Sequence, residues 1–185
     1  MAVSTPPPHD LQLVIDFVNT LDVDEGTEAL GTTAGLGDWL RDRGLYAESS
    51  SDPTDSELAE AIELREALRA VLLAHNQGEH DPKATATLER AADRGRLSVR
   101  FSGDGSVGLE PRASDFWGAL ARVLVPVAEA AADGTWMRVK ACDADDCVWA
   151  FYDRSRNRSG RWCDMAVCGN RTKVRTYRTK GSGEG

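Results

Sequence analysis

All four cysteines of this chain lie in its last quarter, and their spacing constrains the fold more than any other feature of the sequence. Cys142 and Cys147 form one C-x4-C pair, and Cys163 and Cys168 form a second pair after an interval of fifteen residues. Two close pairs separated by a hairpin-length spacer are typical of structural zinc sites. A gap of four residues is too long for a thioredoxin-type redox pair. The spacing therefore predicts that all four cysteines bind one structural Zn²⁺.

The expected cellular compartment favours zinc over disulfides. The opening residues MAVSTPPPHD have neither the basic nor the apolar region of a secretion signal. No stretch reaches the roughly 18 apolar residues that cross a bilayer. We therefore expect a cytoplasmic protein without membrane contact, in a compartment where structural disulfides are rare.

We do not expect an enzyme. A shell closed by four cysteines leaves zinc no open coordination position. The sequence also has no phosphate loop, dinucleotide fingerprint or nucleophile elbow.

The formal net charge of −8 hides an uneven distribution. Residues 1–135 hold 11 Lys and Arg against 24 Asp and Glu, a net charge of −13, whereas residues 136–185 hold 11 against 6, a net charge of +5. Within residues 154–180, nine basic residues face the single acidic Asp164. Such asymmetry indicates contact with nucleic acid. It is equally compatible with a solvated basic surface, or with a basic segment that docks on the protein's own acidic body.

The pattern before the cysteines predicts a mainly helical domain over residues 10–135, with one β-hairpin and a disordered segment 1–9 in front of it. Thr54 and Glu57 match a capping box at the start of the clearest helix, which Gly78 ends. A glycine-containing turn between two alternating segments predicts the hairpin. Residues 24–35 are expected to form a loop. The predicted elements are helices over 10–22, 36–43, 54–78, 82–94 and 114–132 and a hairpin over 96–110.

A polar stripe on the first predicted helix is a candidate ligand pocket for a small-molecule effector. Asp16, Asn19 and Thr20 follow one another at helical spacing, although a solvated polar face has the same pattern. Arg65 lies at the edge of the inward stripe of the long helix, and we expect it to pair with a carboxylate. Asp16 is the candidate partner, and Arg65 completes the predicted pocket.

The residues from 136 to 180 predict a small zinc-binding module made of a β-hairpin and a helix, of the treble-clef or zinc-ribbon type. The segment MRVKA should form a strand that leads to the first cysteine pair, and VWAFYD should form the return strand. The chain should become helical from Cys163 or Cys168 to about Thr179. So small a module buries little apolar surface, and a four-thiolate zinc site supplies the missing folding free energy, on the order of 10 kcal/mol. Residues 181–185 are expected to be a flexible tail.

The segment SRNRSGRWCDMAVCGNRTKVRTY closely resembles the signature of the bacterial CGNR zinc-finger family, whose name is the tetrapeptide Cys168–Arg171. The segments DFVNTLD and LREALRA and the helix around Trp117 resemble the ABATE-like helical domain that precedes the finger in that family. The resemblance covers nearly the whole chain. It implies a transcription regulator, often described as stress-induced, whose zinc finger contacts DNA. The fold implied is the same helical domain and finger that the residue patterns predict.

The last helix can present three guanidinium groups on one face, because Arg171, Arg175 and Arg178 are spaced at i, i+4 and i+7. A basic helix of this kind can enter a major groove, or it can hold phosphates without reading bases. Arg171 and Arg161 should also moderate the negative charge of the thiolates. The aromatic residues Trp149, Phe151 and Trp162 are expected to pack the small core. The predicted nucleic-acid contacts are Arg154, Arg156, Arg158, Arg161, Arg171, Lys173, Arg175, Arg178 and Lys180.

A different class of binder remains open. The same zinc-stabilised module could mediate a protein–protein contact or bind RNA, without reading a DNA sequence. A homodimer that places two short modules on two half-sites is also possible, because a single module of this size binds DNA weakly.

Overall fold

Helices make up about half of the chain, and three small hairpins lie between them. The computed structural model describes residues 6–181, except for the side chains of residues 77 and 176–180. In the part of the chain that is described, no helix is long and apolar enough to cross a membrane. The helices are α1 (Leu11–Val18), α2 (Thr33–Asp42), α3 (Asp55–Gln77), α4 (Pro82–Arg94), α5 (Phe116–Asp133) and α6 (Asn170–Gly181).

The longest helix, α3, begins and ends where its sequence signals predict. Thr54 Oγ1 accepts a hydrogen bond from the Glu57 N–H, and the Glu57 carboxylate accepts one from the Thr54 N–H, which completes the capping box. Gly78 follows the helix with φ 79°, the left-handed conformation that glycine adopts without strain. Helix α4 begins at Pro82, as predicted, because proline is favoured at the first position of a helix.

Helix α1 is five residues shorter than the predicted helix 10–22 and ends four residues earlier. Its end is fixed by buried Arg69 of α3, whose Nη2 donates to the Val18 carbonyl oxygen at 2.6 Å and to Leu21 O at 3.4 Å. The chain then turns into a two-residue strand, β1 (Leu21–Asp22), which pairs with β2 (Thr27–Glu28). The prediction of a plain loop over 24–35 was therefore wrong in part, because it contains β2 and the first turn of α2.

Two further hairpins complete the described chain. Strands β3 (Leu97–Phe101) and β4 (Val107–Pro111) form the hairpin predicted before α5. Strands β5 (Val139–Ala141) and β6 (Ala150–Tyr152) form the hairpin that carries the first cysteine pair. Only a single 3₁₀ turn, Trp136–Arg138, separates α5 from β5, so the last hairpin is held close to the helices.

The β5–β6 hairpin is part of the same hydrophobic core as the helices. Val139, Ala141 and Ala150 are almost fully buried, and they belong to one cluster with Leu72 of α3 and Phe17 of α1. A second, smaller cluster contains three of the cysteines. The boundary at residues 135 and 136 stays a prediction, but the two parts of the chain that it separates share a core.

The predicted disordered segment 1–9 falls partly outside the described residues. In its described part Pro7 is buried, and His9 Nε2 lies 2.7 Å from Asp133 Oδ2 at the end of α5. These contacts place residues 7–9 against the helical domain. The predicted flexible tail 181–185 lies outside the described residues apart from Gly181.

Candidate metal centre and nucleic-acid interface

The first cysteine pair lies on a tight turn between β5 and β6. The Cys147 N–H donates to Ala144 O at 2.9 Å, and the Cys142 N–H donates across the hairpin to Trp149 O at 2.8 Å. Val148 has φ 49°, an uncommon conformation for a β-branched residue. The turn thereby brings Cys142 and Cys147 to the same end of the hairpin.

The second pair lies at the entry to the last helix. A π-helical turn, Met165–Gly169, precedes α6, and Asp164 Oδ1 accepts hydrogen bonds from the Ala166 N–H at 2.7 Å and the Val167 N–H at 3.0 Å. Cys163 precedes this capped turn and Cys168 lies within it. Helical structure therefore begins between the two cysteines, in agreement with the prediction that it starts at one or the other.

The four sulfur atoms converge on one point. All four Sγ atoms lie within 4.8 Å of one another, with Cys147 and Cys163 3.6 Å apart and Cys163 and Cys168 3.7 Å apart. A disulfide would require about 2.05 Å. Tetrahedral zinc, with Zn–S bonds of about 2.3 Å, separates its ligands by about 3.8 Å. The four cysteines form a zinc-binding site, as predicted, and one structural Zn²⁺ fits it.

The protonation of the sulfur atoms also calls for a cation. A hydrogen bond with Cys163, together with backbone N–H donors, lowers the pKa of the Cys142 thiol to about 5. Burial raises the pKa of Cys147 to about 12, and the hydrogen bond with Cys142 raises the pKa of Cys163. Without a metal, one thiolate suppresses the ionisation of its neighbours. A divalent cation bound by all four cysteines would hold them as thiolates.

The CGNR tetrapeptide packs around the second pair. A Cβ on Gly169 would lie 2.6 Å from Met165 Sδ and 3.4 Å from the Trp162 ring, so glycine permits close packing here. Gly169 does not have a positive φ. Asn170 Nδ2 donates to Ala166 O at 3.0 Å, within the second cysteine turn.

Arg171 joins the metal centre to the helical domain. Its Nη2 lies 3.6 Å from Cys168 Sγ, which confirms the expected contact with a thiolate. Its Nη1 donates to Asp24 Oδ1 at 2.8 Å in the turn between β1 and β2, and Asp146 Oδ2 of the first cysteine turn lies 3.4 Å from its Nε. The hydrogen bond with Asp24 raises the pKa of the guanidinium further. One side chain thus contacts both cysteine turns and the β1–β2 hairpin.

Two other predicted nucleic-acid residues also pair with carboxylates of this chain. Arg175 Nη2 lies 2.6 Å from Asp146 Oδ2, and Arg161 pairs with Asp143. These pairs correspond to the alternative in which the basic segment docks on the protein's own acidic residues. Nucleic-acid contact by Arg161, Arg171 and Arg175 stays a prediction, and it requires these ion pairs to open.

The remaining arginines of the interface lie on an exposed loop after β6. We call residues 154–158 the basic loop, because Arg154, Arg156 and Arg158 are all exposed. The Arg154 guanidinium lies over the Tyr152 ring, 5.4 Å from its centroid. Lys173 of α6 is exposed as well. The side chains of Arg178 and Lys180 lie outside the described residues.

A buried ion pair beneath the basic loop fixes its backbone. Lys140 Nζ lies 2.8 Å from Asp153 Oδ2 and also donates to Arg158 O and Gly160 O. Burial would raise the pKa of Asp153, but the hydrogen bonds from Lys140, Ser155 and Gly160 lower it to about 2. Lys140 and Asp153 are only 3% exposed each. We did not predict this pair from the sequence. The signal that could have indicated it is a lysine between Val139 and Ala141 in a short strand.

Side chains of the helical domain cover both open edges of the β5–β6 hairpin. Asn19 Nδ2 donates to Ala150 O at 2.9 Å, and Asn19 Oδ1 accepts from the Ala150 N–H at 2.7 Å. On the opposite edge, His75 Nδ1 contacts Val139 O at 2.7 Å and Asn76 Nδ2 contacts Ala141 O at 2.8 Å. Burial lowers the pKa of His75, so the neutral ring donates from Nδ1. These side chains complete the hydrogen bonding that a neighbouring strand would supply.

Three of the four residues of the predicted ligand pocket lie together, and their role in binding a ligand stays a prediction. Asp16, Asn19 and Thr20 line one cavity of about 400 Å³ between α1, α2 and the turn after β5. Arg65 does not line it. Its other lining residues are Gln12, Ile15, Ala29, Trp39, Arg43 and Trp149.

Arg65 pairs with a carboxylate, as predicted, but the partner is not Asp16. Its Nη1 donates to Glu28 Oε1 of β2 at 2.7 Å, and its Nε donates to Glu66 Oε1 at 2.9 Å. Asp16 Oδ2 instead lies 3.5 Å from Nη2 of Arg43, which directly follows α2. The prediction of an Arg65–Asp16 clamp was therefore wrong, because the β1–β2 hairpin brings Glu28 over α3.

The fold and the sulfur cluster define a class of zinc-finger proteins in which the finger is built onto a helical domain. Residues 11–134 match the family model ABATE, described as "Putative stress-induced transcription regulator". Residues 138–180 match the CGNR zinc finger. Because the first match covers more than half of the chain, the chain belongs to the ABATE family and carries a C-terminal CGNR zinc finger. No curated protein sequence matches it.

Proposed function

We propose that this protein is a cytoplasmic DNA-binding transcription regulator in which the zinc finger makes the DNA contact. The family description supports the regulatory role. The charge distribution supports the finger as the DNA-binding surface, since residues 136–185 carry a net charge of +5 and residues 1–135 carry −13. DNA would repel the acidic helical domain, and a duplex is therefore expected on the side of the finger that lies away from it.

The observation that carries this proposal is the buried Lys140–Asp153 pair under the basic loop. Placing a lysine and an aspartate out of water is unfavourable unless both are fully hydrogen-bonded. Here Lys140 Nζ also donates to the carbonyl oxygens of Arg158, in the loop, and of Gly160, just after it. The loop backbone is thus held in one conformation. Its exposed arginines can contact phosphates without an additional ordering cost in the backbone.

The helix α6 has a different role in this proposal from the basic loop. Arg171 and Arg175 mainly hold the finger together through Asp24 and Asp146. Lys173, which is exposed, joins the basic loop in contacting phosphates. Phosphate contacts position a protein on DNA, whereas base readout requires side chains in a groove. The described residues support phosphate contact.

The test is a fluorescence-anisotropy titration of short genomic duplexes with the zinc-loaded protein. The variant Arg154→Gln/Arg156→Gln/Arg158→Gln should weaken binding about tenfold or more, because each arginine removed loses a phosphate contact. The matched control is Lys83→Gln/Arg90→Gln/Arg100→Gln, which removes the same charge from the helical domain. It should leave binding within about twofold of the wild type, since these residues lie on the surface proposed to face away from DNA.

Equal weakening by both triple variants would show a nonspecific charge effect and contradict the proposed interface. A competition arm with single-stranded and duplex RNA tests the alternative of an RNA-binding module. Salt-independent binding to a protein partner, without binding to either nucleic acid, would favour a protein–protein module instead.

We also infer that the helical domain senses a small-molecule effector, as a second function. The supporting observation is the 400 Å³ cavity, because its wall combines Asp16 and Arg43 of the helical domain with Trp149 of the finger. The Arg43 guanidinium lies 4.3 Å from the centroid of the Trp39 ring. A planar ring with a charged substituent suits this combination of indole faces and an ion pair.

The effector proposal can be tested by a thermal-shift screen of aromatic acids and amines with the wild type. A compound that raises the melting temperature should lose its effect in Arg43→Ala and keep it in Arg41→Ala, since Arg41 lies outside the cavity. A stabilising compound with equal effects on both variants would bind elsewhere and contradict this site.

A further inference from the structure

The β3–β4 hairpin has one entirely apolar face. In the strand register, Leu97 pairs with Pro111, Val99 with Leu109 and Phe101 with Val107. Because side chains alternate along a strand, these six residues lie on one side of the hairpin. The other side is polar and carries the Arg100–Glu110 pair.

The outer half of this face is exposed. Phe101 is 76% exposed, Val107 60% and Val99 52%. A cluster of large apolar side chains at the surface is unfavourable in water and marks an interaction surface. A two-stranded hairpin has little stability of its own. The fold therefore gives no reason for these apolar side chains to be exposed.

A cavity lies at the inner end of the same face. It has a volume of about 430 Å³, and Leu109 and Pro111 of the hairpin form part of its wall. The rest of the wall comes from α1, α5 and the segment after α2, with the apolar residues Leu13, Leu45, Val125 and Pro126. The hairpin face therefore has a protruding end at Phe101 and a recessed end at Pro111.

The two ends are equally far from the middle of the face. Phe101 lies two residues outward from Val99, and the Leu97–Pro111 pair lies two residues inward, about 7 Å in each direction. Two copies can be related by a two-fold axis that lies above the Val99–Leu109 pair and runs perpendicular to the strands. This axis would place the protruding end of one copy over the recessed end of the other. This is the condition for a closed, self-complementary interface.

The charges around the two ends favour the same arrangement. Apart from the hairpin's own Glu110, the cavity is lined by Asp10 and Glu129 against Arg122, a net charge of −1. The hairpin and its flanking residues carry Arg96, Arg100 and Arg112 against Asp104 and Glu110, a net charge of +1. An antiparallel pair of copies brings these opposite charges together.

We propose that this face is the interface of a homodimer, in which Phe101 of each copy inserts into the cavity of the other. The helical domain alone supplies the interface, so the proposal holds whether or not the finger binds DNA. The apolar patch is small, and we expect a dissociation constant in the micromolar range. A dimer with this interface would carry two zinc fingers, one from each copy.

Analytical ultracentrifugation of the full zinc-loaded chain, without DNA, tests the proposal. The wild-type mass should rise with concentration from 20.1 kDa toward twice that value. Phe101→Glu should raise the dissociation constant at least tenfold, because it replaces an apolar side chain by a negative charge in a cavity whose wall already carries Asp10 and Glu129. Arg100→Lys, which keeps the positive charge on the polar face of the same strand, should leave the dissociation constant unchanged.

A second variant tests the recessed end independently. Val125→Trp should fill the cavity and also weaken the dimer at least tenfold, with zinc content and circular dichroism as checks on folding. Mixing this variant with Phe101→Glu should restore part of the association, since the mixed pair retains one intact insertion. A wild type that stays monomeric at all concentrations, or dimerisation that survives Phe101→Glu, would overturn the proposal and point to a foreign partner for this face.

Discussion

At the scale of single residues, Asn19 shows how one side chain can join two parts of a chain. Its amide donates to and accepts from the backbone of Ala150, as the edge of a neighbouring strand would. The sequence predicted it as a pocket residue, since its spacing with Asp16 indicates a shared face. The pattern contained no signal for a partner 131 residues away, because a side-chain amide pairs equally well with any exposed backbone edge.

Replacing Asn19 should therefore weaken the attachment of the hairpin. Asn19→Ala leaves an N–H and a C=O of Ala150 without partners, and we expect a loss of roughly 1–3 kcal/mol in the free energy of unfolding. Asn157→Ala in the exposed basic loop is the matched control and should change stability by less than about 0.5 kcal/mol. Denaturant unfolding measures both, and equal stability of the two variants would show that the Asn19 contact is dispensable.

Arg65 offers a test of the corrected pairing. Arg65→Ala removes a nearly buried guanidinium from Glu28, Glu66 and Thr20, and we expect a loss of about 3 kcal/mol. Asp16→Ala, at the partner first predicted, should cost less than about 1 kcal/mol because its contact with Arg43 is long and partly exposed. Thermal unfolding compares the two variants, and a larger loss in Asp16→Ala would restore the original interpretation.

At the scale of elements, local signals predicted the helices well where caps and periodicity agree. The capping box at Thr54 and the glycine at 78 delimit α3 as expected. The end of α1 was missed because it depends on a residue of another helix. Buried Arg69 of α3 donates a hydrogen bond to the carbonyl oxygen of Val18, the last residue of α1. Strands β1 and β2 have two residues each, which is too short for an alternating pattern to be visible.

The basic loop is the element whose order depends most on one buried pair. In Lys140→Met, Asp153 keeps its charge without its cation, and we expect a loss of about 3–5 kcal/mol. The pKa of Asp153 is about 2, below its unfolded value of about 3.9. The lowered pKa of Asp153 therefore contributes stability that is present at neutral pH and is lost as the pH falls from about 4 to 2.

Hydrogen exchange at neutral pH reads out the loop directly. Amides of residues 154–160 should exchange faster in Lys140→Met, while those of α4 should be unaffected. Lys83→Met, at an exposed lysine, is the control and should leave exchange in the loop unchanged. Unaltered protection of residues 154–160 in Lys140→Met would show that the loop is ordered without the buried pair.

At the scale of the whole molecule, the zinc finger and the helical domain share one hydrophobic core. The sequence predicted both parts, since cysteine spacing and charge mark the finger and helical periodicity marks the domain. It could not predict how closely they are joined. The residues that join them, Asn19, His75, Asn76 and Asp24, look like ordinary polar or inward positions of the helical domain.

Zinc removal should therefore affect the whole protein. The zinc-loaded chain should contain one zinc per chain and unfold in a single calorimetric transition. A chelator, or Cys147→Ser, should lower the transition temperature and broaden it, because loss of the metal releases β5 and β6 from the common core. Two transitions, with the upper one unchanged by the chelator, would show that the helical domain folds without the finger.

The salt dependence of DNA binding tests whether the basic loop contacts DNA. The logarithm of the association constant should fall linearly with the logarithm of the salt concentration, with a slope of about −0.9 for each phosphate contacted. Arg154→Gln/Arg156→Gln/Arg158→Gln should make this slope shallower by about 2.7, and Lys83→Gln/Arg90→Gln/Arg100→Gln should leave it unchanged. If the basic-loop variant has the wild-type slope, or if the wild type does not bind DNA at low salt, the finger does not contact DNA through this loop.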